Sequence, residues 1–275
     1  MLKWFSVVFV AVVIIISSLV APKRIRYRGL TKLGINPDIP LWKLNLSLSR
    51  PDCVWKTWYG APRHKHIISM SLWGSGKVYR EGAIRNVHEC NKYLARWKCR
   101  FYIPKDLWEK EDIGKHLVNL GADVVVMNID KPFANEGSIW RFYSSTAPPE
   151  FNGQLMVSRD VDDFINKDVA DWLDRWESSK KIFTRQESWD TILPILFTLK
   201  AGRWGAMVGR NSNGFGNLIV ASNMYKHRGS FGFDEVFLED EVWPVMKDNP
   251  SKVFVYKMNL QQVLASRDNS DGHTI

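Results

Sequence analysis

The sequence predicts an α/β domain built on a mostly parallel central sheet with helices on its faces, preceded by a membrane-spanning helix. Three observations predict this. Strand-length apolar runs alternate with segments whose apolar residues recur at helical spacing, as a parallel sheet with crossover helices requires. Two of the apolar runs end in Trp73-Gly-Ser-Gly76 and Asp160-Val-Asp162, and open α/β sheets bind ligands beyond the carboxyl ends of their strands. Residues 4–21 are almost wholly apolar, long enough to cross a bilayer's hydrocarbon core as a helix.

The elements follow in order. Residues 1–22 read as a retained single-pass anchor, because Leu19, Val20 and Ala21 followed by Pro22 make a poor signal-cleavage site. Lys23, Arg24, Arg26 and Arg28 follow the run and suit anionic headgroups. The positive-inside rule puts the main domain in the cytoplasm, whereas the short leading tail suits a lumenal domain; the side stays open. Residues 23–62 contain Pro37, Pro40, Pro51 and Pro62 and read as a juxtamembrane stem. A strand is expected over 66–73, a helix over 79–96, and a strand over 99–103 stopped by Pro104. A helix from Asp106 to about Leu120, ended by Gly121, leads to a Val-rich strand over 122–128. A short helix over 138–143 feeds a strand ending at Val157. A helix over 167–176, a strand over 181–185, apolar packing over 192–199, a glycine-rich wall over 202–209, a loop over 211–216 and a helix over 218–225 follow. A helix from Gly232 and a strand over 253–256 complete the domain, set at 63–265, with a frayed tail at 266–275.

The chain has 275 residues, 45% hydrophobic and 24% charged, with a net charge of +9, which suits one domain with an appendage. A basic balance favours anionic partners, but the charges are dispersed, so nucleic acid is not an expected partner. Cys53, Cys90 and Cys99 are spaced for neither a zinc site nor a disulfide framework.

Asp160 and Asp162 alternate along an extended chain and so can aim at one point. Two converging carboxylates repel unless a cation sits between them, and Mg²⁺ or Mn²⁺ takes such ligands while sharing phosphate oxygens. A solvated acidic turn before the next helix is the competing reading. Gly74 and Gly76 can admit a ligand to the backbone or simply make a turn. Arg141 can meet a phosphate or pair with an aspartate. Asp234 and Glu235, in the first turn of a helix, suit its dipole or serve as a base or as acceptor contacts.

Taken in order from about Lys65 to Lys247, the stretches SMSLWG, YREGAIRN, WKCRFYIP, LGADVVVMN, IWRFYSS, LMVSRDVDD, VADWLDRWESSKKIFTR, AGRWGAMVG and FGFDEVFLEDEVWP resemble one family. It is the GT-A-like, DxD-bearing sugar transferases found as poorly described proteins in bacteria and large viruses. The resemblance implies a nucleotide-sugar fold, with Trp73 and Gly74 near the nucleotide and Asp160 and Asp162 holding Mn²⁺ or Mg²⁺ and the diphosphate. Trp204 and Gly205 would border the sugar, and Asp234 and Glu235 the acceptor, as the catalytic pair. Tyr79, Arg141 and Arg159 complete the candidate donor contacts. The expected activity is transfer of a sugar from a nucleotide-diphosphate donor to a hydroxyl of a glycan, lipid or protein acceptor. Two departures stand beside it: no His lies in Arg185-Gln-Glu-Ser-Trp189, and none in Val255-Tyr-Lys-Met258, where the family pattern carries one. A membrane-tethered nucleotide- or sugar-binding protein on the same fold is therefore the second expectation. A phosphotransferase of the haloacid-dehalogenase kind fits less well, since Phe164 replaces the expected Thr or Val and the motif falls late in the chain.

Overall fold

The structure, a computed structural model, describes residues 55–59, 66–74, 76–127, 136–145, 155–187, 204–207 and 232–257. The anchor expected at 1–22, the stem as far as residue 54, the segments 192–199, 211–216 and 218–225, and the tail lie outside the described residues. Among the described residues no helix is long and apolar enough to cross a membrane.

The elements in chain order are β1 (Trp55–Tyr59), β2 (His66–Ser71), α1 (Lys77–Tyr93), β3 (Trp97–Pro104), α2 (Lys105–Lys110), α3 (Ile113–Asn119) and β4 (Asp123–Met127). A 3-10 helix (Glu136–Ser145), β5 (Leu155–Ser158), α4 (Lys167–Ser179), β6 (Phe183–Glu187) and β7 (Trp204–Met207) follow. Then come α5 (Phe233–Phe237), a π-helical turn (Leu238–Val242), α6 (Trp243–Asp248) and β8 (Val253–Lys257). The described strands form one sheet in the order β1-β4-β3-β2-β5-β7-β6-β8. Its middle, β4-β3-β2-β5, is parallel throughout. β1 on one side and β7 on the other run antiparallel to their neighbours.

The parallel strands are buried on both faces, so they read as continuous apolar runs rather than alternations; Val124, Val125 and Val126 of β4 are all buried. α1 buries Ala83, Val87 and Cys90, and α4 buries Val169, Trp172, Leu173 and Trp176. The indole N–H groups of the last two tryptophans are satisfied by Thr184 Oγ1 (2.7 Å) and the Lys181 carbonyl (2.8 Å). Cys90 and Cys99 are free and buried.

Two expectations change. β1 falls inside the segment read as stem, yet it hydrogen-bonds to β4, and Tyr59 stacks on Trp108 with ring centroids 3.9 Å apart. The single helix expected over 106–120 is two, because Glu111 is extended (φ −130°, ψ 148°). Gly114 then lets α3 close onto α2: a Cβ there would lie 2.4 Å from the Trp108 ring.

Register positions the site. β2 and β5 are parallel neighbours with Ser69 beside Ser158. Their carboxyl ends therefore release Trp73-Gly74 and Asp160 side by side.

One buried ion pair sets a pH dependence. Arg100 and Asp123 pair at 3.2 Å with essentially no exposure. Burial pushes the Asp123 carboxyl up to about 6, against the pull of Arg100. The folded state thus holds this proton more tightly than the unfolded chain. The contribution to stability is present in full below about pH 4 and is lost as pH rises through about 6. A shift of this size corresponds to roughly 3 kcal/mol. Urea unfolding of Asp123→Asn should lack that component, so its stability difference from the wild type changes by about that amount between pH 4 and 7. A pH-independent difference contradicts the raised carboxyl.

Candidate functional site

Asp160 and Asp162 do not lie on the extended segment expected for them: β5 ends at Ser158, and the two belong to a tight turn in which the Asp163 N–H donates to the Asp160 carbonyl (3.2 Å). It is tied to the sheet by the Arg159 N–H, which donates to the Ser69 carbonyl (3.0 Å). The Arg159 side chain is buried and turns back under the loop. It pairs with Asp163 (2.8 Å) and donates to the Asp163 and Phe164 carbonyls (3.2 and 3.4 Å). From the helix side, Asn86 of α1 donates to the Val161 carbonyl and accepts from the Ile165 N–H, both at 2.8 Å.

Arg141, on the 3-10 helix, is the central charge. One of its terminal nitrogens donates to Asp160 and the other to Asp234 of α5. Its side chain is 5% exposed, against 9% for Asp234 and 46% for Asp160. Burial works against its charge, but the two carboxylates outweigh burial and raise its pKa above the ordinary value. The backbone around it is fixed by small hydroxyls. The Arg141 N–H donates to Ser71 Oγ (2.8 Å), and the Ser69 hydroxyl donates to the Arg141 carbonyl. Ser144 Oγ bonds both Ser69 Oγ (2.9 Å) and the Tyr102 hydroxyl (3.0 Å).

Around this pair of carboxylates opens a cleft of about 550 Å³, within the range of small-molecule sites. It is lined by Ser71, Leu72, Trp73, Gly74, Tyr79, Ser138, Arg141, Asp160, Val161, Asp162, Gly232, Asp234 and Glu235. Eight of the residues singled out in the sequence thus meet at one place: Trp73, Gly74, Tyr79, Arg141, Asp160, Asp162, Asp234 and Glu235. The Trp73 indole is pressed onto Gly137, where a Cβ would come within 2.2 Å of the ring. Tyr79 is 42% exposed and leans on Gly74 and Gly76, with Cβ positions 3.5 and 3.1 Å from its ring. Gly232 opens α5 at φ 72°, the left-handed region that favours glycine.

Three expected contacts lie elsewhere. Trp204 is fully buried and packs on Phe142 at 5.7 Å. Gly205 is inside the sheet, where a Cβ would meet the Met156 carbonyl at 2.5 Å; the glycine lets β7 approach β5 closely. Arg159 is consumed in holding the loop. The hydroxyl residues around Arg141, and Asn86, carried no spacing signal in the sequence. The buried Ser138 Oγ, which has no hydrogen-bond partner among the described residues, carried none either.

Among the described residues the charged groups of the lining are four carboxylates, Asp160, Asp162, Asp234 and Glu235, and the guanidinium of Arg141. The Asp162 carboxyl is pushed up from its ordinary value, first by lost hydration and then by the charge of Asp160. The residue as a whole is exposed, so that loss is partial. Among the described residues no cluster of three or more His, Cys, Asp or Glu could enclose a metal ion. Asp160 and Asp162 supply a partial oxygen set, which suits a hard divalent ion that keeps waters and takes phosphate oxygens for the rest of its shell. The residues present fit such an ion.

No protein-family model matches this chain, and no curated protein matches it. It is similar to solved structures at low identity. The glycosyltransferase GlyE of Streptococcus pneumoniae TIGR4 is 11% identical, with a TM-score of 0.42 over 72% of this chain and 46% of that one. A 4-diphosphocytidyl-2C-methyl-D-erythritol synthase from Anaerococcus prevotii DSM 20548 is 13% identical, with a TM-score of 0.41 over 72% and 91%. The mannosyltransferase PcManGT from Pyrobaculum calidifontis, in complex with GDP-Man and Mn²⁺, is 8% identical, with a TM-score of 0.43 over 90% and 65%. This chain spans less than half the length of the streptococcal protein.

Removing the central charge should expose its role in stability. Breaking a buried ion pair by deleting one partner costs about 3–5 kcal/mol, and Asp234 is the buried partner here. Arg141→Gln should therefore lose several kcal/mol of stability. Urea unfolding checks this; a loss of well under about 1 kcal/mol would mean that the ion pairs of Arg141 do not hold the fold.

Proposed function

We propose that the cleft binds a nucleoside-diphosphate sugar together with Mn²⁺ or Mg²⁺, and that the chain transfers the sugar to an acceptor hydroxyl while anchored to a membrane by residues 4–21. The observation that carries this reading is that Asp160 and Asp162 leave one turn into a cleft also lined by Trp73, Gly74, Tyr79 and Glu235. Two neighbouring carboxylates repel a diphosphate on their own. A divalent ion held by them would reverse that and would neutralise charge developing on the departing nucleoside diphosphate.

The chain's own residues take the other roles. Asp160 and Asp162 are the ion's ligands. Arg141, fixed through Ser69 and Ser71, supplies a rigid positive charge between the two acidic elements. Trp73 and Tyr79 present aromatic surface for the nucleoside, and Ser138 offers a hydroxyl to the donor. Asp234 is committed to Arg141 and keeps that guanidinium in place. Glu235, next along α5 and less buried, is the carboxylate we assign to receive the acceptor's proton. The resemblance of the sequence to DxD sugar transferases supports the same reading.

A binding protein without turnover is the second reading, favoured by one observation. Asp160 already has Arg141 as its counter-charge, which lowers its call for a metal.

The full chain, purified in detergent and screened against nucleotide sugars with and without Mn²⁺, should be stabilised against heat only when both are present. Asp160→Asn combined with Asp162→Asn should abolish that stabilisation and any transfer. Unchanged stabilisation in this variant removes the assignment. Stabilisation without hydrolysis or transfer across a broad acceptor panel selects the second reading.

A further inference from the structure

The turn bearing Asp160 and Asp162 is held not only by Arg159 beneath it but also by α1 beside it. Gly82 and Asn86 lie four residues apart and so share a face of that helix. Asn86 is fully buried, and both ends of its carboxamide are used. Nδ2 donates to the Val161 carbonyl and Oδ1 accepts from the Ile165 N–H, each at 2.8 Å. Val161 is the residue between the two aspartates. Gly82 faces the same carbonyl: a Cβ there would come within 2.6 Å of it. Asn is a poor helix-interior residue, and a buried carboxamide without partners is destabilising. α1 gains nothing from either residue on its own account; the loop accounts for both.

We propose that Asn86 is a positioning residue for the cation site, with Gly82 providing the close approach it needs. Holding the Val161 carbonyl fixes the Val161–Asp162 peptide plane, one of the two that separate the aspartates. The same carboxamide pins the far end of the turn at Ile165. The two carboxylates therefore leave a backbone that cannot rotate, and their mutual direction is set from α1. This rests on the reading that Asp160 and Asp162 hold a divalent cation.

The test uses the full chain and two measurements. Mn²⁺ is titrated by electron paramagnetic resonance, alone and with UDP or GDP, and amide hydrogen exchange is followed over residues 160–166. Asn86→Ala and Gly82→Ala are compared with Leu117→Ala, which truncates a fully buried core side chain on α3. Partners that orient metal ligands typically change affinity by about 10- to 100-fold when removed. Asn86→Ala and Gly82→Ala should each weaken Mn²⁺ by at least about tenfold and speed exchange over 160–166. Leu117→Ala should lower the melting temperature with Mn²⁺ affinity unchanged. If exchange over 160–166 rises and Mn²⁺ binds as tightly as in the wild type, the positioning role is overturned and the cation reading stands. The role is likewise overturned if Leu117→Ala weakens Mn²⁺ as much as the loop-facing variants do. If the wild type takes no Mn²⁺ under any of these conditions, the cation reading fails and the positioning role fails with it. Should Asn86→Ala not fold, Gly82→Ala pushes on the same carbonyl and decides the question.

Discussion

One guanidinium holds the cleft together. Arg141 reaches Asp160 on the loop after β5 and Asp234 on α5, so the carboxyl end of the sheet and a late helix share a single charge. A buried arginine of this kind cannot discharge by losing its proton, and it needs its partners as much as they need it. The hydroxyls of Ser69 and Ser71 fix its backbone. The Asp160 and Asp234 carboxylates are therefore tied to the 3-10 helix and β2 as well as to the elements that carry them.

The chain carries a net +9, while four carboxylates, Asp160, Asp162, Asp234 and Glu235, gather with Arg141 among the described residues of one cleft. A basic balance over the whole protein favours anions in its surroundings, and acidic side chains gathered at one place favour a cation there.

The parts of this arrangement that were legible in the sequence are those with a periodic or paired signature. The Val-rich β4, the helical spacing of α1 and α4, and the Asp-x-Asp after an apolar strand each follow from local geometry. Asp234 was visible as a first-turn carboxylate, but its tie to Arg141 was not, because nothing local relates residues so far apart. Trp204 and Gly205 misled for a related reason. A glycine beside a tryptophan suits a ligand wall and a tight strand contact equally, and only the neighbouring β5 carbonyl decides between them. β1 was hidden in a proline-rich segment because an edge strand of five residues carries little pattern. Asn86 and the serines were silent: a polar residue that serves one distant carbonyl leaves no repeat to detect.

The bonds that build the cleft also say when it can exist. Ser69 meets Arg141 across 72 positions, Asn86 meets Val161 across 75, and Arg141 meets Asp234 across 93. Closing loops of that length comes late and slowly in folding. A nascent chain emerging from the ribosome can form β2, α1 and β3 early, yet it owns no acidic cleft until residue 234 has been synthesised and docked. The cleft is thus a property of the finished molecule, completed in the last stage of assembly.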